Sequence, residues 1–218
     1  MKDVNVQNYW FVNPGGASGT AGGLTLIWKN NSDIEILYYS LNHINAIVKP
    51  VSDTPWLYTG YYGSPYDTNS KIDTWKILEN IDVNNAIPWL VIGDINIILH
   101  DTEKFSTHPL DANEAAIFGN KILDMDLVDL GTTGCPFTWS NKRSGHALTE
   151  QRLDRGIATE SWLLLYPNAT ISNMLAIGSD HHPILLNSNP TWQTGKIPFK
   201  FFGPWLDQKD CRNIIAEC

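Results

Sequence analysis

WLVIGDINIILHDTEK, residues 89–104, is the stretch from which the rest of the chain is read. A short apolar run (Trp89, Leu90, Val91, Ile92) follows a proline and meets Gly93. Its length and β-branched content predict a buried central strand. Asp94 and Asn96 then stand in otherwise apolar surroundings. Polar groups at the end of a buried strand are costly unless they are paired or bind something. Two apart on an extended strand, they point to the same side. A carboxylate and an amide aimed together suit catalysis or metal binding. The plainer reading is an Asx turn that ends the strand.

Length and charge bound the rest. The 218 residues suit one domain, or one domain with a short tail. No apolar stretch is long and uncharged enough to span a bilayer, and the start, MKDVNVQNYW, has no signal-peptide pattern. Cys135, Cys211 and Cys218 are widely spaced, form no CxxC and follow no metal spacing. They read as reduced thiols of an intracellular protein, and the sequons at Asn30 and Asn168 then carry no meaning. The net charge of −8 argues against generic, charge-driven nucleic-acid binding, which needs a basic surface. It leaves room for an enzyme whose acidic site recruits a cation and contacts phosphate locally.

Around the central stretch, apolar alternation predicts strands over residues 9–12, 24–28, 34–40, 44–48 and 56–62. The glycine-rich NPGGASGTAGG, residues 13–23, is a loop. It is no P-loop, because no Gly-Lys-Ser/Thr follows, and it lacks the dinucleotide spacing. Ile72, Trp75, Ile77, Leu78 and Ile81 have helical spacing over residues 70–81, and Ala115, Phe118, Ile122 and Leu123 share a face over 110–127. Residues 136–139 and 148–157 read as paired strands around the basic loop 141–146. A short helix over 159–165 and strands over 169–176 and 183–186 complete the pattern. Hairpins with inserted helices suggest an α+β or layered sheet sandwich.

Three further places resemble the Asp94/Asn96 pair in character. Gln151-Arg152-Leu153-Asp154-Arg155 puts a carboxylate inside a strand, Ser179-Asp180-His181 precedes a final apolar strand, and Tyr62 ends another. Each has a plain alternative: Asp154 as an ion-pair partner of Arg152 or Arg155, Asp180 as a turn cap, His181 as a loop histidine. His43, His100, His108, His146 and His182 read as ordinary histidines. A serine hydrolase fits poorly without a G-x-S-x-G elbow, and a zinc site fits poorly without H-E-x-x-H or a cysteine pair. Carboxylates, one His, one Asn and one Tyr at strand ends suit metal-assisted hydrolysis of a phosphate ester. A hard cation takes oxygen ligands, a His–Asp dyad supplies a base, and Asn and Tyr hold phosphate oxygens.

The ordered motifs YGSP, GDIN, FTWSN, RLDR and SDHHP resemble the endonuclease/exonuclease/phosphatase superfamily. With GGLTLIW, the EK pair after GDIN, and DLVDLG, they are similar to the endonuclease domain of plant LINE-type non-LTR retrotransposons, over roughly residues 9–186. The resemblance implies an α/β (α+β) four-layer sandwich, two packed mixed β-sheets flanked by helices. It implies cleavage of DNA phosphodiesters with Mg²⁺ or Mn²⁺ in the nucleus; the chain itself is expected to be a monomer with no membrane contact and no evident protein partner. His181 would be the general base and Asp154 would orient it. Asp94 would position the nucleophilic water or protonate the leaving oxygen. Asn96 would hold the scissile phosphate, Tyr62 would contact phosphate or the metal site, and Asp180 would help place the metal. Lys142 and Arg143 would lie near the DNA. Residues 1–188 would form this domain, lacking the family's first strand-helix-strand and the metal-binding Glu it carries. Residues 189–218 would be a linker toward a reverse transcriptase that is not in the chain. The expectation is a weak or silent endonuclease. Alternatives are an inactive relic and a phosphatase acting on small phosphate esters.

Overall fold

The computed structural model describes residues 8–13, 23–29, 32–50, 54–81 and 87–190. Most of the glycine-rich loop and nearly all of the expected linker lie outside the described residues. The strands run as β1 (Asn8–Val12), β2 (Leu24–Trp28), β3 (Asp33–Tyr39), β4 (His43–Lys49) and β5 (Trp56–Tyr62), followed by helix α1 (Thr68–Glu79). Next come β6 (Trp89–Asp94), β7 (Lys104–Phe105), α2 (Ala112–Asp124), β8 (Leu127–Asp129), β9 (Trp139–Ser140), β10 (Glu150–Gln151) and β11 (Asp154–Thr159). Helix α3 (Glu160–Leu165) and strands β12 (Thr170–Asn173) and β13 (Ile184–Asn187) close the described chain.

The Trp89 run is a central strand, as its apolar continuity predicts. It lies inside a six-stranded mixed sheet of order β3-β4-β5-β6-β11-β8. Only β5 and β6 pair in parallel, joined through α1; the other pairs are antiparallel. Trp89 and Val91 face one side with Leu57, Tyr61 and Ile157, where α1 packs Trp75 and Leu78 and α2 packs Phe118 and Ile122. Leu90 faces the other side with Ala158, against Trp162 of α3 and Leu186 of β13. Burial on both faces explains why the run shows no polar alternation. Asp67 starts α1 by accepting from the Ser70 amide at 3.1 Å, and Asp111 starts α2 by accepting from the Asn113 and Glu114 amides at 3.0 Å.

The other strands form small sheets: β1-β2, β7-β10-β9 and β12-β13. The expected mixed α/β sandwich is therefore present, with several packed sheets. The strand expected over 148–157 is broken into β10 and β11. The amides of Leu153 and Asp154 both donate to Thr138 Oγ1 at 2.9 Å instead of to a partner strand. Among the described residues no helix is long and apolar enough to cross a membrane.

Candidate active site

Strand register builds the site. Asp94 is the last residue of β6. It is the parallel partner of Tyr62 at the end of β5 and the antiparallel partner of Asp154 at the start of β11. Three polar residues remote in sequence thus stand in one row across adjacent strand ends. Gly93 makes this approach possible: its φ is +149°, and a Cβ there would lie 2.1 Å from the Tyr61 carbonyl oxygen.

Asn96 departs from the extended-strand expectation. The strand stops at Asp94, and Asn96 has a φ of 58°. Its amide nitrogen donates to Asp94 Oδ1 at 3.2 Å, so the Asx turn of the plainer reading is real. Its side chain is buried and donates from Nδ2 to the Gly63 carbonyl at 3.0 Å, joining this turn to the one after β5. Asn96 still lines the same cavity as Asp94, reached through a turn and not along a strand.

His181 reaches the row from the other side. It forms an antiparallel bridge with Trp139 of β9. The flanking backbone is clamped too: Ser140 donates to the Asp180 carbonyl at 3.0 Å and His182 to the Thr138 carbonyl at 2.7 Å. His181 Nδ1 then lies 2.9 Å from Asp154 Oδ2, and its Nε2 lies 3.9 Å from Asp94 Oδ2. Asp94, Asp154 and His181 each present a ligand-type atom within 4.8 Å of the others. The cavity beside them, about 410 Å³, is lined by Tyr62, Asn96, Trp139 and His181 among others.

The electrostatics follow from this crowding. Burial and the facing Asp154 carboxylate push Asp94 up to about 6, against the pull of His181. The hydrogen bond that His181 donates to Asp154 raises the histidine above its ordinary value, partly opposed by burial. Burial, with the nearby Asp94 carboxylate, raises Tyr62.

Asp154 is available to His181 because Arg152 and Arg155 are engaged elsewhere. Both arginines bind Glu103 and Asp129: Arg152 Nη1 meets Glu103 Oε1 at 2.8 Å and Arg155 Nη1 meets Asp129 Oδ2 at 2.8 Å. Arg155 is fully buried and also donates to the Ile97 carbonyl at 2.6 Å. The glutamate of the EK pair and the aspartate of DLVDLG are thus structural, and the local sequence does not reveal that they share partners. Trp139 and Thr138 are the other residues that sequence reasoning missed. Thr138 positions the amides that start β11, and Trp139 donates its indole N–H to Asp180 Oδ2 at 3.0 Å.

Asp180 is exposed, and its carboxylate, held low chiefly by that indole bond, is not among the three clustered groups. Lys142 and Arg143 are exposed on the loop between β9 and β10. Among the described residues no glutamate joins the cluster. Glu35 pairs with Lys49, Glu79 with Lys121 and Glu114 with Lys71.

The fold, a mixed sheet backed by helices, is shared with several solved structures. The chain is similar to the endonuclease domain of TRAS1, a telomere-specific non-LTR retrotransposon, at 16% identity and a TM-score of 0.63, covering 83% of this chain and 78% of that one. It is similar to TDP2 of D. rerio complexed with single-strand DNA product, at 15% identity and a TM-score of 0.52, covering 84% and 76%. It is also similar to the 3′ phosphatase NExo from Neisseria bound to product DNA hairpin, at 16% identity and a TM-score of 0.55, covering 83% and 78%. At these identities the likeness is one of fold. No protein-family model matches the chain, and no curated protein does.

Proposed function

We propose that this chain hydrolyses phosphodiester bonds of DNA with a divalent cation, as the endonuclease part of a retrotransposon-derived, nuclear protein. The observation that carries the reading is His181 set between two carboxylates, Asp154 at 2.9 Å and Asp94 at 3.9 Å. The likeness in fold to the TRAS1 endonuclease domain supports the DNA substrate.

His181 Nδ1–H donates to Asp154 Oδ2, which leaves the Nε2 lone pair on the cavity side. The 3.9 Å between Nε2 and Asp94 Oδ2 is a span that one water oxygen bridges at ordinary hydrogen-bond lengths of about 2.8 Å. Nε2 takes a proton from that water as its oxygen attacks phosphorus. Asp94 holds the other hydrogen and so aims the lone pair. Asp154 stabilises the imidazolium that forms. The bond from phosphorus to the sugar oxygen breaks, and that oxygen takes its proton from solvent. Asn96 and Tyr62 hold non-bridging phosphate oxygens, and Lys142 and Arg143 contact the DNA backbone.

The donor set fits a hard cation. Mg²⁺ keeps several waters and binds through one or two carboxylates plus substrate phosphate. Asp94 supplies such a carboxylate, since Asp154 is engaged by His181. Bound there, Mg²⁺ or Mn²⁺ would neutralise charge that builds on the phosphoryl oxygens. With a single uncommitted carboxylate among the clustered groups, affinity without substrate is weak.

The deciding experiment sets a labelled oligonucleotide beside p-nitrophenyl phosphate as substrates, with Mn²⁺ supplied to both. Cleavage inside the oligonucleotide, without turnover of the monoester, is expected. Turnover of the monoester alone would replace this reading with the phosphatase one.

A further inference from the structure

The catalytic cavity has a second wall, and its residues also come from strand register. In the three-stranded sheet, Gln151 of β10 is paired on one side with Lys104 of β7 and on the other with Trp139 of β9. Trp139 is bridged in turn to His181. Lys104, Gln151, Trp139 and His181 therefore form a continuous row, and all four line the cavity.

The charge state of this row differs from that of its surroundings. Lys71 also lines the cavity, but Glu114 matches it at 2.6 Å. Lys49, Lys76 and Lys121 are likewise ion-paired, and both Arg152 and Arg155 sit in the buried network. Lys104 Nζ instead donates to the Pro109 carbonyl at 3.0 Å, and among the described residues no carboxylate forms an ion pair with it. An ammonium has three donors, so two hydrogens remain after that bond. Among the described residues, Lys104 is the cavity-lining lysine with its charge unmatched.

We propose that Lys104 binds a phosphate of the substrate strand other than the scissile one, with Gln151 and Trp139 forming the floor between that phosphate and His181. The proposal rests on the phosphodiesterase reading and deepens it by naming a second phosphate contact, at Lys104, on the substrate strand. Strands in a sheet lie ~4.8 Å apart, so three steps separate the backbones of His181 and Lys104 by ~14 Å. Lys104 is thus rooted away from the reacting phosphate, and a strand of consecutive nucleotides rising ~3.4 Å each carries a further phosphate at every step for it to meet. The carbonyl bond from Pro109 holds the ammonium at the cavity without neutralising it. An overall acidic protein would thus grip an anionic strand at a few aimed cations.

The test is equilibrium binding of fluorescent oligothymidylates, two and ten residues long, to the full chain in chelator, over a salt series. Wild type should prefer the longer strand. Lys104→Glu should weaken its binding by roughly tenfold at low salt and lower the slope of log affinity against log salt by about 1. Lys104→Arg should keep both affinity and slope, which separates a charge role from a local packing role. Equal affinities and slopes for wild type, Lys104→Glu and Lys104→Gln, with the length preference intact, would overturn the Lys104 subsite and leave the phosphodiesterase reading standing. Absence of any binding by wild type would overturn both.

Discussion

Asp94 and Asp154 are direct cross-strand partners, two carboxylates facing each other at the end of one antiparallel ladder. Like charges placed opposite one another destabilise a sheet. The side chain that relieves them is His181, which arrives from a different part of the chain and touches both. This is a place where folding free energy is given up for chemistry.

The first prediction follows from that conflict. Asp94 has its pKa raised from 3.8 to about 6, by burial first and Asp154 second. A raised pKa for an acid means that the folded state binds the proton more tightly than the unfolded one. The associated stability is fully present below the unfolded value and is lost as pH rises through about 6. Above neutral pH, in chelator, Asp94→Asn should therefore be more stable than wild type by about 2–3 kcal/mol while losing hydrolysis. Thermal unfolding at two pH values checks it. An equal or lower melting temperature for Asp94→Asn at pH 8 would count against a net folding cost of the ionised Asp94 carboxylate.

The second prediction concerns protons in turnover. His181 must be neutral to act as base, and Asp94 must be ionised to aim the water. The rate should rise with pH through the ordinary histidine range and level off above it, because Asp154 holds His181 up. Asp154→Asn should move that upper inflection to lower pH and slow the reaction. A pH–rate profile that falls again just above neutrality would instead show Asp94 acting as a proton donor.

A third prediction addresses the buried ions. Burial pushes Glu103 up, yet Arg155 and Arg152 outweigh it and hold the carboxyl below its ordinary value. Asp129 behaves likewise, with Arg152 and Arg155 overcoming burial. For lowered acids, the stability is present above the unfolded pKa and is lost as pH falls through the folded one. Glu103→Ala leaves two buried guanidiniums short of a partner and should cost on the order of 3–5 kcal/mol. Denaturant unfolding at neutral pH measures it. A loss below 1 kcal/mol would mean that the network relaxes without Glu103.

The fourth prediction is ion affinity. With Asp94 as the principal carboxylate, Mn²⁺ should bind weakly to the free protein and more tightly when an uncleaved oligonucleotide analogue is present. Asp94→Asn should abolish that gain, and paramagnetic resonance of free Mn²⁺ reads both states. Tight, stoichiometric Mn²⁺ binding without nucleic acid would point to ligands beyond the three clustered groups.

Much of this was legible in the sequence, for physical reasons that differ from place to place. Residues 89–94 announce a central strand because burial on both faces leaves an unbroken apolar run. Helices α1 and α2 are legible in the spacing of Trp75 with Leu78 and of Phe118 with Ile122, the residues that face the sheet. Strand register sets Asp94, Asp154 and Tyr62 in one row, and the bridge to Trp139 brings His181 to it, while Asp180 stays outside the cluster. Register itself is not legible: nothing local sets Asp154 opposite Asp94, 60 positions away. Nor does spacing show that Arg152 and Arg155 choose Glu103 and Asp129, which is what leaves Asp154 to the histidine. Asn96 misled the reading for a related reason. A strand-end Asn and an Asx-turn Asn look alike until the backbone is seen.

The most direct measurement of the central claim is nicking of supercoiled plasmid by wild type and by His181→Ala, with Mg²⁺, with Mn²⁺ and with chelator. The account predicts slow nicking by wild type that needs the ion, rises with ion concentration, and falls by on the order of 10²–10⁴ in His181→Ala. Equal nicking by both proteins, or no nicking by wild type at any ion concentration, would contradict it.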